Sequence, residues 1–242
     1  MMSGEGIKDP FFARTLRAYK LASPFAMAVR TDNFTHCVEA SLVGAKVLRD
    51  RTIEAKAIPC VVVGANMKVE PPVQLSLGLN ARDIYSRLNW DNEPRRQSFE
   101  EWRQTVQVPK AMDTDRPTIH MAIEATYKGE RAIVDSTIGQ LRAHLKVSMV
   151  EIFPMEPDAP WPAFGTKDGW ECQYEASPHA EYVQKHADGY KVPDGWVNDL
   201  DDLMQLAISC KLNEDQFFAA MKFQSPALFK MSVDRLMKLA NN

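Results

Sequence analysis

Thr118-Ile119-His120-Met121-Ala122-Ile123-Glu124-Ala125-Thr126-Tyr127-Lys128-Gly129-Glu130-Arg131-Ala132-Ile133-Val134-Asp135 is the stretch that decides the fold. Two runs rich in β-branched and aromatic residues flank Lys128-Gly129, a turn-forming pair, and this pattern predicts a β-hairpin. Loop length then fixes the register. A two-residue loop sets Tyr127 opposite Glu130 and, counted back, Asp135 opposite Ala122. Asp135 would share a face with His120, diagonally across from it. A three-residue loop would turn Asp135 to the face of Ile123, away from His120.

N-terminal to the hairpin, 57–63 (Ala57-Ile58-Pro59-Cys60-Val61-Val62-Val63) predicts a strand buried on both faces and bounded by Gly64. Pro59 has no N–H for a ladder, so it is expected at the start of the strand or at an edge. Cys60 reads as a packing residue. Upstream of that strand stands Asn33-Phe34-Thr35-His36-Cys37-Val38-Glu39-Ala40-Ser41. From Val38 the apolar residues recur at three- and four-residue spacing, which predicts a helix from about 35 to 51 with Asn33 or Thr35 as its cap. Cys37 then falls in the first turn. Unpaired N–H groups and the positive end of the helix dipole favour an anion there, and a thiol so placed can lose its proton more readily. Cys37 is therefore the candidate nucleophile.

The remaining segments are read more coarsely. A helix is expected over 11–27, ending near Ser23-Pro24. A strand over 73–79, one or two helical turns over 83–88, and a helix over 99–106 opened by a Ser98–Glu101 capping box follow. Residues 70–117 read either as an insertion over or beside the site or as an ordinary strand–helix connection. From 149 to 170 the chain carries Pro154, Pro157, Pro160 and Pro162 among Trp161 and Phe164, a composition suited to an extended, surface-bound connector. Helical patterns return with Trp196, Leu200 and Leu203, with Asn213 as a cap, and with Ser225-Pro226 opening the last. The expected organisation is a catalytic domain over 1–150, a connector over 151–170 and a C-terminal helical region over 171–242 that packs on the core and narrows access to its cleft.

Composition restricts the function classes. The 242 residues are 45% hydrophobic, enough for a sizeable core. A net charge of -3 offers no basic excess for phosphates, so no nucleic-acid partner is expected. The N-terminus lacks the apolar core of a signal peptide, and no stretch reaches spanning length, so a soluble cytoplasmic protein with no membrane partner is expected. The four cysteines, Cys37, Cys60, Cys172 and Cys210, have no metal-finger spacing and read as free thiols. His144, His179 and His186 show no ligand spacing, so neither a metal nor a cofactor is expected. His36, about 100° around the helix from Cys37, reads as a bystander.

Cys37, His120 and Asp135 fit one chemistry. Imidazole can take the proton of a thiol and return it to a leaving group. A carboxylate on the far ring nitrogen fixes the tautomer and stabilises the imidazolium. Asn33 is a candidate donor to an oxyanion, beside the Cys37 backbone N–H, and equally a plain helix cap.

The order of these residues resembles the transglutaminase-like superfamily, relatives of papain. His120-Met121-Ala122-Ile123-Glu124 resembles the family's "His-Ala-Trp-Val-Glu", and Val134-Asp135-Ser136-Thr137 its "Val-Asp-Pro-Thr". Thr52-Ile53-Glu54-Ala55-Lys56-Ala57 stands where the family usually has "Gly-Ile-Pro-Ala-Arg". The resemblance covers roughly residues 30–140. His36 replaces the family's common Gly, Lys56 its Arg, and no Trp follows His120 closely. The resemblance implies an α+β papain-like fold, with the nucleophile helix on an antiparallel sheet. It implies acyl transfer through a thioester, with a peptide, a protein segment or a small amide as substrate. Two alternatives stand beside it. An arylamine N-acetyltransferase using acetyl-CoA shares the triad order and Cys37-Val38-Glu39, but its Arg-Gly-Gly run is absent here. A non-catalytic binding module could use the same scaffold.

Overall fold

In this computed structural model the described residues are 6–30, 36–66, 68–70, 73–88, 98–105, 118–141, 147–156, 159, 161–166 and 168–240. In chain order the elements are α1 (Pro10–Arg30), α2 (Cys37–Asp50), β1 (Glu54–Asn66), β2 (Val73–Leu77), α3 (Ala81–Leu88), α4 (Phe99–Thr105), β3 (Met121–Tyr127) and β4 (Glu130–Asp135). A 3-10 helix (Ile138–Leu141), β5 (Glu151–Met155), β6 (Ala163–Gly165), β7 (Trp170–Ala176), α5 (Ala180–Asp188), α6 (Asp194–Ser209), α7 (Glu214–Gln224) and α8 (Pro226–Ala240) follow. The architecture is α+β, with antiparallel strands flanked by helices. The chain divides into two units, one of residues 1–58, 121–160 and 185–242, the other of 59–120 and 161–184.

In the first unit, Asp9 starts α1. Its Oδ1 accepts from the N–H groups of Phe11 (2.9 Å) and Phe12 (3.1 Å), and Pro10 takes the first helical position, where its missing N–H costs nothing. The expected stop at Pro24 does not occur; α1 runs through it to Arg30. Pro24 removes one helical bond at a cost of about 3 kcal/mol. Beyond it Phe25, Ala26 and Met27 are buried. Two large side chains at about 1.5–3 kcal/mol each offset the proline. α2 starts at Cys37, two residues later than expected, with His36 at its cap position.

The hairpin has the register the loop length predicts. Tyr127 pairs with Glu130 and Ile123 with Val134, and β5 adds to the free side of β4. Lys128 (φ 49°) and Gly129 (φ 83°) both lie in the left-handed region, as a two-residue turn matched to strand twist requires. Ile123, Ala125, Ala132, Val134 and Ile152 belong to the core shared with α1 and α2. The C-terminal helices join that core: α6 and α8 pack on α1, and Trp196, Leu200, Leu203 and Phe217 are buried in it.

On the other face of the hairpin, Glu124 accepts from Lys56 Nζ (2.7 Å) and from Arg131 Nε. Burial pushes its carboxyl up, but Lys56 and Arg131 outweigh that and hold it below the usual carboxylate range. A depressed folded value stabilises the protein above the unfolded pKa and is lost as pH falls through the folded one. With Lys56 largely exposed, solvent screens the pair, and Glu124→Gln should therefore cost only about 0.5–1 kcal/mol near neutral pH. Urea unfolding of both forms should show that gap closing below the ordinary carboxylate value of 4.5. A gap that persists in acid would contradict the assignment.

In the second unit, β2 and β7 flank β1 and β6 adds to β7, all antiparallel. Pro59 stands within β1 rather than at its start; the ladder with β7 begins one residue later, at Cys60. The Ser98–Glu101 capping box forms as expected (2.7 and 3.2 Å). A second, reciprocal Asn80–Asp83 pair opens α3. Tyr85 joins the two helices by packing edge-on against Phe99 and tilted against Trp102, with ring centroids 5.4 and 5.6 Å away. Of the segment expected as a connector, 151–170, parts form β5 and β6. The chain after 171 completes β7 before its helices begin at Ala180.

Candidate functional site

Cys37 is the first residue of α2 and is buried, with 4% of its surface exposed. The helix N-terminus is therefore where the sequence puts it, although the cap residue is His36, which makes no side-chain cap bond. His36 turns instead to Glu39, its Nδ1 3.3 Å from Oε1. Asn33, the oxyanion candidate, lies outside the described residues.

One turn after Cys37, Ser41 is fully buried and its Oγ donates to the carbonyl of Met121 at 2.9 Å. Residues four apart share a helix face, so the face of α2 that begins at Cys37 is anchored to the first residue of β3. Gly44, three residues further on, continues that contact. A Cβ there would collide with Ile123 Cδ1 and the Tyr19 hydroxyl. Glycine is what lets α2 approach β3 this closely.

Asp135 ends β4 with no exposed surface. Its Oδ1 accepts from Thr137 N (2.8 Å) and Thr137 Oγ1 (3.3 Å), which folds the chain into the turn after the strand. Between them Ser136 exchanges a 2.6 Å hydrogen bond with the Tyr19 hydroxyl. Burial raises the Tyr19 pKa well above the ordinary phenol range, despite the Ser136 bond, and the nearby Asp135 charge adds to the rise. Tyr19 is thus a neutral hydroxyl beside Asp135 under all ordinary conditions.

His120 belongs to the second unit, as the last residue before the chain returns to the first at Met121. It is 1% exposed, and its carbonyl accepts from Cys60 N at 3.1 Å. Gly78, with φ +85°, lies against it; a Cβ on Gly78 would come within 3.0 Å of His120 Cβ and 2.9 Å of the Cys60 carbonyl. Cys37 and Asp135 are both in the first unit.

Other groups differ from these three. Burial pushes the Cys172 thiol up to about 12, which makes it inert near neutral pH. His179 Nε2 stands 3.3 Å from Asp83 Oδ2 in the second unit, a His–carboxylate pair that the sequence reading passed over. Among the described residues no group of three or more His, Cys, Asp or Glu could hold a metal ion. No helix among them is long and apolar enough to cross a membrane.

Sequence reasoning missed Ser41, Tyr19 and Ser136. Ser41 is a buried hydroxyl on the apolar face of α2, and its four-residue spacing from Cys37 was the available signal. Nothing local in the sequence joins Tyr19 to Ser136. Compared with protein-family models, with curated proteins and with solved structures, the chain matches none.

Proposed function

We propose that this chain is a cysteine-dependent acyl-transfer enzyme that hydrolyses a peptide or amide bond through a thioester on Cys37, in the manner of the transglutaminase-like proteins its motifs resemble. The observation that supports this most is the anchoring of the Cys37 face of α2 through Ser41 to Met121. The covalent neighbour of Met121 is His120, and the reading rests on that chain connection. In the proposed reaction the Cys37 sulfur attacks the carbonyl carbon as His120 takes the thiol proton. The C–N bond breaks, and His120 passes that proton to the departing amine. Water then attacks the thioester, giving a proton to His120; the C–S bond breaks to release the acid, and His120 returns that proton to the Cys37 sulfur. Asp135 orients His120 and stabilises its cationic form. Its bonds from Thr137 fix the carboxylate, and the neutral Tyr19–Ser136 pair lines its surroundings without adding charge.

Incubation with p-nitrophenyl acetate followed by peptide mass spectrometry tests the reading. One acetyl group per chain is expected, on Cys37, turning over with time. Cys37→Ser should abolish it. Acetylation confined to the half-buried Cys210, or none at all, would refute the proposal.

A further inference from the structure

A second site lies in the first unit. A cavity of about 750 Å³ opens between α1, the segment before β5, the α6–α7 turn and α8. That is the size range of small-molecule sites. Its walls are apolar, with Leu21, Phe25, Met149, Leu212, Phe218 and Leu236. Three cations, Arg17, Lys20 and Lys211, also line it, against one carboxylate, Glu214. This local excess of positive charge stands in a chain whose net charge is -3.

On α1 the charged and apolar lining residues are ordered along the helix. Arg17, Lys20, Leu21 and Pro24 stand at positions i, i+3, i+4 and i+7 of one face of α1. The face is cationic at its start and apolar beyond. Lys20 is already bound to Glu151 at 2.6 Å. Arg17 and Lys211 are exposed, and neither makes an ion pair among the described residues. Lys211 (φ 54°) and Leu212 (φ 60°) are consecutive non-glycine residues in the left-handed region, a backbone conformation that L side chains disfavour. That strained turn adds one cation and one apolar side chain to the same wall, and such strain gathers at ligand sites.

We infer that this cavity binds a linear aliphatic carboxylate, with its head at Arg17 and Lys211 and its chain among Leu21, Leu212, Phe218 and Leu236. A singly charged head suits two available cations beside Glu214; a dianionic phosphate would meet that carboxylate at greater cost. The inference does not depend on the proposed chemistry at Cys37, since no wall residue belongs to α2.

Isothermal titration of the full chain with dodecanoate, below its micelle concentration, tests it. Saturable binding of one dodecanoate per chain is expected, with dodecyltrimethylammonium and dodecyl phosphate at least about tenfold weaker. The R17E/K211E double variant should lose about tenfold or more. Absence of saturable dodecanoate binding, or equal affinity for the alkylammonium or the alkyl phosphate, would overturn the inference. So would unchanged affinity in a double variant that keeps the wild-type unfolding midpoint. If that variant unfolds early, K211Q replaces it, with a loss of about threefold expected and unchanged affinity counting against the site.

Discussion

Gly44→Ala should destabilise the protein by about 2–4 kcal/mol, even though alanine is the better helix former. Within an exposed helix the change would gain about 1 kcal/mol. Here the new methyl would meet Ile123 Cδ1 at 2.5 Å and Tyr19 Cζ at 2.8 Å, with the hydroxyl closer still. Overpacking of this kind costs about 1–3 kcal/mol. Displacing the hydroxyl also breaks its bond with Ser136, leaving a buried polar group unsatisfied at about 1–3 kcal/mol. The two costs exceed the propensity gain. Urea unfolding should show a lowered midpoint, and a raised one would mean α2 does not approach β3 as described. Tyr19→Phe, by removing the hydroxyl, should make the Gly44→Ala loss smaller than it is in the wild-type background.

His120→Ala should slow acetylation of Cys37 by p-nitrophenyl acetate by about 10²–10⁴-fold near neutral pH, the usual worth of a positioned general base. Asp135→Asn is the sharper companion. An asparagine Oδ1 can still accept from Thr137, so the turn after β4 should survive while the charge is lost. A loss approaching 10⁴-fold with an unchanged unfolding midpoint would mark Asp135 as acting on His120. Equal rates in all three proteins would leave Cys37 without a base and the proposed mechanism without support.

The hairpin was the most legible part of the chain because strand alternation and a two-residue turn leave only one register. The α2 start was legible to within two residues, since the apolar period marks a helix better than it marks its cap. α1 was misjudged at Pro24 because a proline penalty is local, whereas the burial of Phe25 and Met27 that outweighs it is tertiary. The alternation of Trp170, Cys172 and Tyr174, all buried in β7, was present in the sequence. It was obscured by the neighbouring prolines, which suggested an extended connector. Of the candidate site, the position of Cys37 at a helix start was readable, because capping and periodicity are local. The Ser41–Met121 and Tyr19–Ser136 bonds were not, because they join residues 80 and 117 positions apart.

The most direct test is the rate of iodoacetamide alkylation near neutral pH, resolved by peptide mapping over the four cysteines in the wild type and in His120→Ala. Cys172, its thiol raised to about 12, should stay silent near neutral pH. Cys210, half-buried, should alkylate slowly as an unactivated thiol. Cys37, at the start of α2, should react fastest of the four, and His120→Ala should slow it. A Cys37 that alkylates no faster than Cys60, or at the same rate with and without the His120 imidazole, would contradict the claim that it is an activated nucleophile.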